Sequence, residues 1–180
     1  MFEALGVLLT VNHQALSSFI WSVADLLRGD YRQSEYGRVI LPFTVLRRLD
    51  CVLEGTKPAV LAEHTDKQNL GLNPEPFLLR KAGQSFYNIS PLDMRKLMGD
   101  QDHIRENLFA YVQGFSPAVR DIFERFEFAV QIERLAKNGL LYQVTEKFAV
   151  IDLHPDKVDN FTMGLAFEEL IVSGVLRLPP

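Results

Sequence analysis

The densest chemistry in the sequence is a run of five arginines, Arg28, Arg32, Arg38, Arg47 and Arg48, interleaved with Tyr31 and Tyr36. Guanidinium groups fork onto phosphate oxygens and aromatic rings stack on bases, so this mixture could contact a nucleic acid. Asp30, Glu35 and Asp50 fall in the same stretch and give the same cations an internal use as ion pairs. Both readings stand at this level. Arg47 and Arg48 are adjacent and cannot both point into apolar surroundings, so at least one must reach solvent, a carboxylate or a phosphate.

Other chemistry is sparse. The chain has no phosphate-cradling glycine loop, Gly-x-Ser-x-Gly elbow, His-Glu-x-x-His or Cys-x-x-Cys. His13, His64, His103 and His154 are far apart and read as structural or solvated, so no metal is assigned. Asp100, Asp102 and Glu106 lack the glycine and spacing of a calcium loop, and Asp102 reads as a helix N-cap. Cys51 is the single cysteine and lies in an apolar helical pattern. With neither an internal disulfide nor a cysteine zinc cluster possible, a reduced, cytoplasmic setting is expected. A formal net charge of -4 argues against holding nucleic acid by bulk electrostatics and leaves only a local basic patch. The apolar opening FEALGVLLTV lacks a basic lead and is shorter than the roughly 20 residues a bilayer requires, so no membrane role is expected.

The elements that must position the arginines read as helices. Ser34 to Leu53 is apolar on nearly every face, which predicts a buried central helix near 34–54, capped by Ser34, stopped at Gly55, and kinked or restarted at Pro42. Phe19, Ile20, Val23, Ala24 and Leu27 predict a helix before it, ending at Arg28-Gly29-Asp30, whereas 1–12 reads as a disordered extension or a short docked strand. Another helix restarts at Thr56-Lys57-Pro58, and His64 to Pro76 reads as surface connection. A short helix near Pro76 to Lys81 precedes an extended piece. Ser90-Pro91 and Ser116-Pro117 each read as a helix start. Ile104 to Phe115 marks one helix, Val119 to Gly139 a single long amphipathic one, Leu141 to Ile151 another, and Asp156 caps the last. The expected architecture is one all-α, compact multi-helix bundle with at most a minor extended segment, its domain spanning 13–172 between the extension and a tail at 173–180.

Phe19 to Glu54, FIWSVADLLRGDYRQSEYGRVILPFTVLRRLDCVLE, resembles the start of the modification (M) subunit of type I restriction-modification systems, an adenine-N6 DNA methyltransferase. NLFAYVQGFSP at Asn107 to Pro117, FERFEF at Phe123 to Phe128 and MGLAFEELI at Met163 to Ile171 resemble the same family's helical N-terminal domain, in the same order. In that family a Rossmann-like domain follows, binding S-adenosylmethionine through a glycine-containing motif and the flipped adenine through Asn-Pro-Pro-Phe or -Tyr. Neither motif occurs here, so the resemblance implies no cofactor and no methyl transfer in this chain. Beyond Ile171 the sequence departs from the family, where Gly-x-x-Phe/Tyr-Thr-Pro would be expected, and it reads as an N-terminal domain without its enzyme. The resemblance further implies a domain that helps clamp duplex DNA and assemble with the specificity (S) subunit and the restriction subunit, with weak DNA binding on its own. The alternative is a free-standing helical adaptor for a protein partner, exposing an apolar patch near Phe161 to Ile171.

Overall fold

A computed structural model describes residues 2–172 and places the side chains of residues 13–168. Ten helices follow in order among the described residues: α1 (Phe2–Leu27), α2 (Tyr36–Leu53), α3 (Lys57–Asn69), α4 (Glu75–Ala82), α5 (Met94–Leu97), α6 (Ile104–Gln113), α7 (Pro117–Arg125), α8 (Phe128–Lys137), α9 (Leu141–Val150) and α10 (Asn160–Val172). The fold is an all-α bundle, as expected. The extended piece is reduced to a single bridge between Asn88 and Phe115, with one other isolated bridge between Arg28 and Tyr31.

Helix α2 is the centre because apolar residues cover most of its faces, leaving one partly exposed stripe along Arg38, Leu41, Val45, Arg48 and Val52. Val39, Ile40, Phe43 and Leu46 are fully buried, and α1, α8 and α9 pack around them. Burying each such side chain contributes about 1.5–3 kcal/mol, so a helix covered on several sides anchors every neighbour. A string of aromatic rings carries the packing outward from Phe43, which stacks on Phe148 at 5.3 Å and meets Phe128 edge-on at 5.0 Å. Phe148 continues to Phe19 of α1 at 5.0 Å. Phe128 continues through Phe123 and Phe115 to Tyr111 of α6, each step between 5.4 and 5.8 Å. Helices α3 and α4 pack chiefly on each other as a hairpin.

Several boundaries differ from the sequence reading, each for a local reason. Helix α1 begins at Phe2, so residues expected to form an extension or strand continue the helix; Ala4, Leu5, Leu8 and Leu9 are strong helix formers with no proline among them. Helix α2 runs through Pro42 without a restart. Ser34 is not its cap but lies in a short 3-10 turn, Gln33–Glu35, where Glu35 accepts from the Arg32 amide at 2.9 Å. Helix α3 extends to Asn69, into the stretch expected as surface connection. No helix starts at Ser90-Pro91. The Ser90 hydroxyl accepts from Leu92 N at 3.1 Å, and Asp93 caps α5 instead, accepting from Lys96 N at 2.8 Å. Asp102 sits inside a 3-10 turn rather than at a cap. The expected long helix after Ser116 breaks in two at Glu127, whose φ is 54°. Asp159, not Asp156, caps α10 by accepting from Thr162 N at 2.7 Å. The tail at 173–180 and the side chains of Leu170 and Ile171 lie outside the described residues.

The segment between α4 and α5 is fastened to the turn between α6 and α7 by a polar clamp. Asn88 donates its Nδ2 to the Tyr111 carbonyl at 3.0 Å and accepts from Ser90 N at 2.7 Å, while Ile89 N donates to the Gly114 carbonyl at 2.8 Å. Ser116 begins α7 as expected, but its hydroxyl accepts from Tyr87 N at 3.3 Å instead of capping the helix. Gly114 makes the approach possible: a Cβ there would lie 2.8 Å from Asn88 Oδ1, Ser90 Cβ and Ser90 N, two of these being atoms that cannot swing away. Gly114→Ala is therefore expected to destabilise the fold by on the order of 1–3 kcal/mol. Urea unfolding reads this as a lowered midpoint at unchanged slope, and an unchanged midpoint would show that the clamp yields.

Candidate nucleic-acid interface

The arginine-rich segment divides by burial into an outer and an inner set. Arg28, Arg32 and Arg38 are exposed, Arg28 pairing with Asp25 at 2.8 Å one turn back on α1. They sit where α1 gives way to α2. Gly29 turns the chain at φ 98°, a conformation that a Cβ would strain, and Tyr31 N closes the turn onto the Leu27 carbonyl at 2.9 Å. Tyr31 and Tyr36 are buried, 5% and 7% exposed, so neither ring is placed to stack on a base.

What holds this segment comes from far away in the chain. Arg134 of α8 donates to Glu35 Oε1 at 3.0 Å and Oε2 at 3.3 Å, and to the Asp30 carbonyl at 2.9 Å. Its guanidinium lies 3.8 Å from the centre of the Tyr31 ring. The Tyr31 hydroxyl donates to Gln131 Oε1 at 3.2 Å, one turn earlier on the same helix. The Arg134 hydrogen bond and then the Arg32 amide hold the Glu35 carboxyl down to about 2, whereas burial pushes the Tyr31 phenol up to about 12. A depressed carboxyl favours the folded state above its unfolded pKa, so the Glu35 contribution fades as pH falls from about 4.5 towards about 2. Neither Arg134 nor this clamp was named from the sequence, because nothing local marks a residue 99 positions away from its partner.

Arg47 and Arg48 are engaged inside the fold. Arg47, 3% exposed, donates Nη1 to Asp50 Oδ2 at 2.7 Å and Nε to the Ile151 carbonyl at 2.7 Å. Arg48 reaches the Leu153 carbonyl at 3.0 Å, the Val158 carbonyl at 2.8 Å and Asn160 Oδ1 at 2.7 Å. Asp50 also accepts from the Tyr111 hydroxyl at 2.5 Å and from Met94 N at 3.3 Å. Burial pushes the Asp50 carboxyl up and the Tyr111 phenol well up; the three donors around Asp50 work against burial and favour its charged form. Lys57 lies beside them, its Nζ on the Leu92 carbonyl at 2.9 Å and 5.4 Å from the centre of the Tyr111 ring, with burial lowering it to about 8. The cavity between Arg47, Asp50, Lys57 and Arg95 measures about 30 Å³, room for a single water rather than an organic ligand.

Two of the four histidines lie beside surface carboxylates. His103 Nδ1 lies 2.9 Å from Asp100, and His154 Nδ1 lies 3.5 Å from Asp156. Among the described residues no group of His, Cys, Asp and Glu could hold a metal ion, and no helix is long and apolar enough to cross a membrane. Exposed apolar side chains include Trp21 on α1, Val150 at the end of α9, and Phe161 and Leu165 on α10.

A family model described as the HsdM N-terminal domain matches residues 16–148. The match starts at Leu16, the first buried residue of α1 whose side chain is described, and ends at Phe148 in α9. It spans the arginine segment, the Arg134 clamp, the Asp50 cluster and the Gly114 turn. No curated protein and no solved structure matches the chain. The chain belongs to the HsdM N-terminal domain family, the helical N-terminal domain of the modification subunit of type I restriction-modification systems.

Proposed function

We propose that this chain is a DNA-clamping and subunit-assembly domain of a type I modification methyltransferase, with no methyl transfer of its own. Family membership across residues 16–148 carries the reading, together with the exposure of Arg28, Arg32 and Arg38 within the matched stretch. Arginines on one short surface segment can neutralise successive phosphates, which supplies affinity without reading sequence. Arg47 and Arg48 serve the fold first, so the proposed phosphate contacts narrow to the other three. The partners of the assembled enzyme are a specificity subunit, which reads the bases, a restriction subunit and duplex DNA. S-adenosylmethionine belongs to a catalytic domain whose glycine-containing and Asn-Pro-Pro motifs are absent from these 180 residues.

A second reading, a helical adaptor for a protein partner with no DNA role, is favoured by the exposed Phe161 and Leu165 on α10, 69% and 40% accessible. Copurification from the native host separates the two. Recovery of specificity and restriction subunits supports the first, and recovery of an unrelated partner alone supports the second.

Two outcomes follow for the isolated chain. Its net charge of -4 opposes a polyanion, so duplex binding should be weak and indifferent to sequence, with Kd about 10⁻⁴ to 10⁻⁶ M at physiological salt. In the assembled methyltransferase, Arg32→Ala or Arg38→Ala should weaken binding about equally on all sequences and make the salt dependence shallower. Gel-shift titrations at two salt concentrations measure both, and sequence-selective, tight binding by the chain alone would contradict the reading. Calorimetric titration of the chain with S-adenosylmethionine should give no binding heat, and micromolar binding would refute the assignment of the cofactor to another domain.

A further inference from the structure

We propose that Arg134 is a positioning residue for DNA contact: from α8 it clamps the segment 28–38, so that Arg28, Arg32 and Arg38 meet the phosphate backbone at fixed spacing. The inference rests on the reading of that segment as a phosphate-contacting face.

The clamp holds the segment at three places. The Arg134 fork grips both oxygens of Glu35 and the Asp30 carbonyl, its guanidinium carbon sits 3.8 Å over the centre of the Tyr31 ring, and Gln131 takes the Tyr31 hydroxyl from the same helix. Glu35 passes the hold on to Arg32, whose amide donates to the same carboxylate at 2.9 Å, while Glu35 N returns to the Arg32 carbonyl at 2.8 Å. Arg38 lies three residues further on, in the first turn of α2. Between α1 and α2 the segment's own backbone supplies two separate local turns, a glycine turn closed by the Asp30 and Tyr31 amides on the Leu27 carbonyl and a three-residue 3-10 turn, and the Arg134 contacts tie the two together. A planar guanidinium can fork onto a carboxylate and stack on a ring at once, which an ammonium cannot. Both terminal nitrogens of Arg134 donate within the clamp, and its part in DNA contact is to set the geometry of its neighbours.

Charge and geometry make opposite predictions for Glu35→Gln. The substitution removes a negative charge from the arginine surface, which alone would tighten DNA binding, yet it loosens the clamp. Arg134→Lys keeps the charge and loses the fork and the stack. Fluorescence anisotropy with a labelled duplex, at about 50 and about 200 mM salt, compares both with the parent chain and with Arg32→Ala, while circular dichroism confirms that each is folded. Both clamp variants are expected to bind about threefold or more weakly at the lower salt, with a shallower salt slope and faster amide exchange at Arg32 and Glu35. Tighter or unchanged binding by Glu35→Gln, or parental affinity and slope in Arg134→Lys, overturns the proposal. If Arg32→Ala weakens binding while the clamp variants do not, the phosphate-contacting reading survives and the clamp alone falls. If Arg32→Ala changes nothing, both fall. Should one clamp variant fail to fold, the other decides.

Discussion

The Asp50 carboxylate is the constraint on which the bundle depends. Asp50 lies on a buried face of α2, 7% exposed, where a carboxylate must find donors inside or cost several kcal/mol. Asp50 finds three: Arg47 one turn back on α2, the Tyr111 hydroxyl of α6 and the Met94 amide at the start of α5. One oxygen thereby fixes the distance between two helices that the chain reaches only after a long detour. The cation is used as fully. Arg47 continues to the Ile151 carbonyl, and Arg48 takes the carbonyls of Leu153 and Val158 and the side chain of Asn160, so the polar residues of α2 also place the loop that launches α10.

Around that polar knot the aromatic string does the filling. Tyr111 is its last ring and the Asp50 donor at once, which couples the position of the hydroxyl to the packing of Phe115, Phe123, Phe128, Phe43, Phe148 and Phe19. Each aromatic pair adds about 0.5–1.5 kcal/mol beyond its buried area, and the chain of them runs from α6 to α1. The arginine segment lies outside this core, between α1 and α2, and is held by α8, a helix that packs directly on α2. The surface proposed to meet DNA is thus fixed on a rigid frame from both ends and from across the bundle.

The helices were legible where three- and four-residue apolar spacing gave a strong signal, as in α2, α6, α9 and the Phe19–Leu27 part of α1; the opening turns of α1 lack it and were missed. The break at Glu127 was not, since Val119, Ile122, Phe123, Phe126 and Val130 keep that spacing straight across it; periodicity reports which side chains are apolar and is blind to one residue at positive φ. Ser90-Pro91 misled for a related reason. A serine hydroxyl bonds whichever amide is nearest, and in a loop fastened by Asn88 that amide was Leu92 N. Of the five arginines, composition could show that some would pair internally but not which. The division into inner Arg47 and Arg48 and outer Arg28, Arg32 and Arg38 depends on residues such as Ile151 and Asn160, more than a hundred positions later.

The family resemblance gains a physical meaning from these contacts. In NLFAYVQGFSP, Tyr111 closes on Asp50, Gly114 admits the Asn88–Ser90 loop, Phe115 extends the ring string and Ser116 receives the Tyr87 amide. None of these residues needs to touch DNA or a partner to matter. The most direct test of the Asp50 knot is a double-mutant cycle by urea unfolding, with Arg47→Met, Asp50→Leu and the pair together. Each single change should cost about 3–5 kcal/mol by stranding a buried charge, and the double should cost clearly less than their sum. Small, additive losses would show that the buried pair is not what fastens α2 to its neighbours.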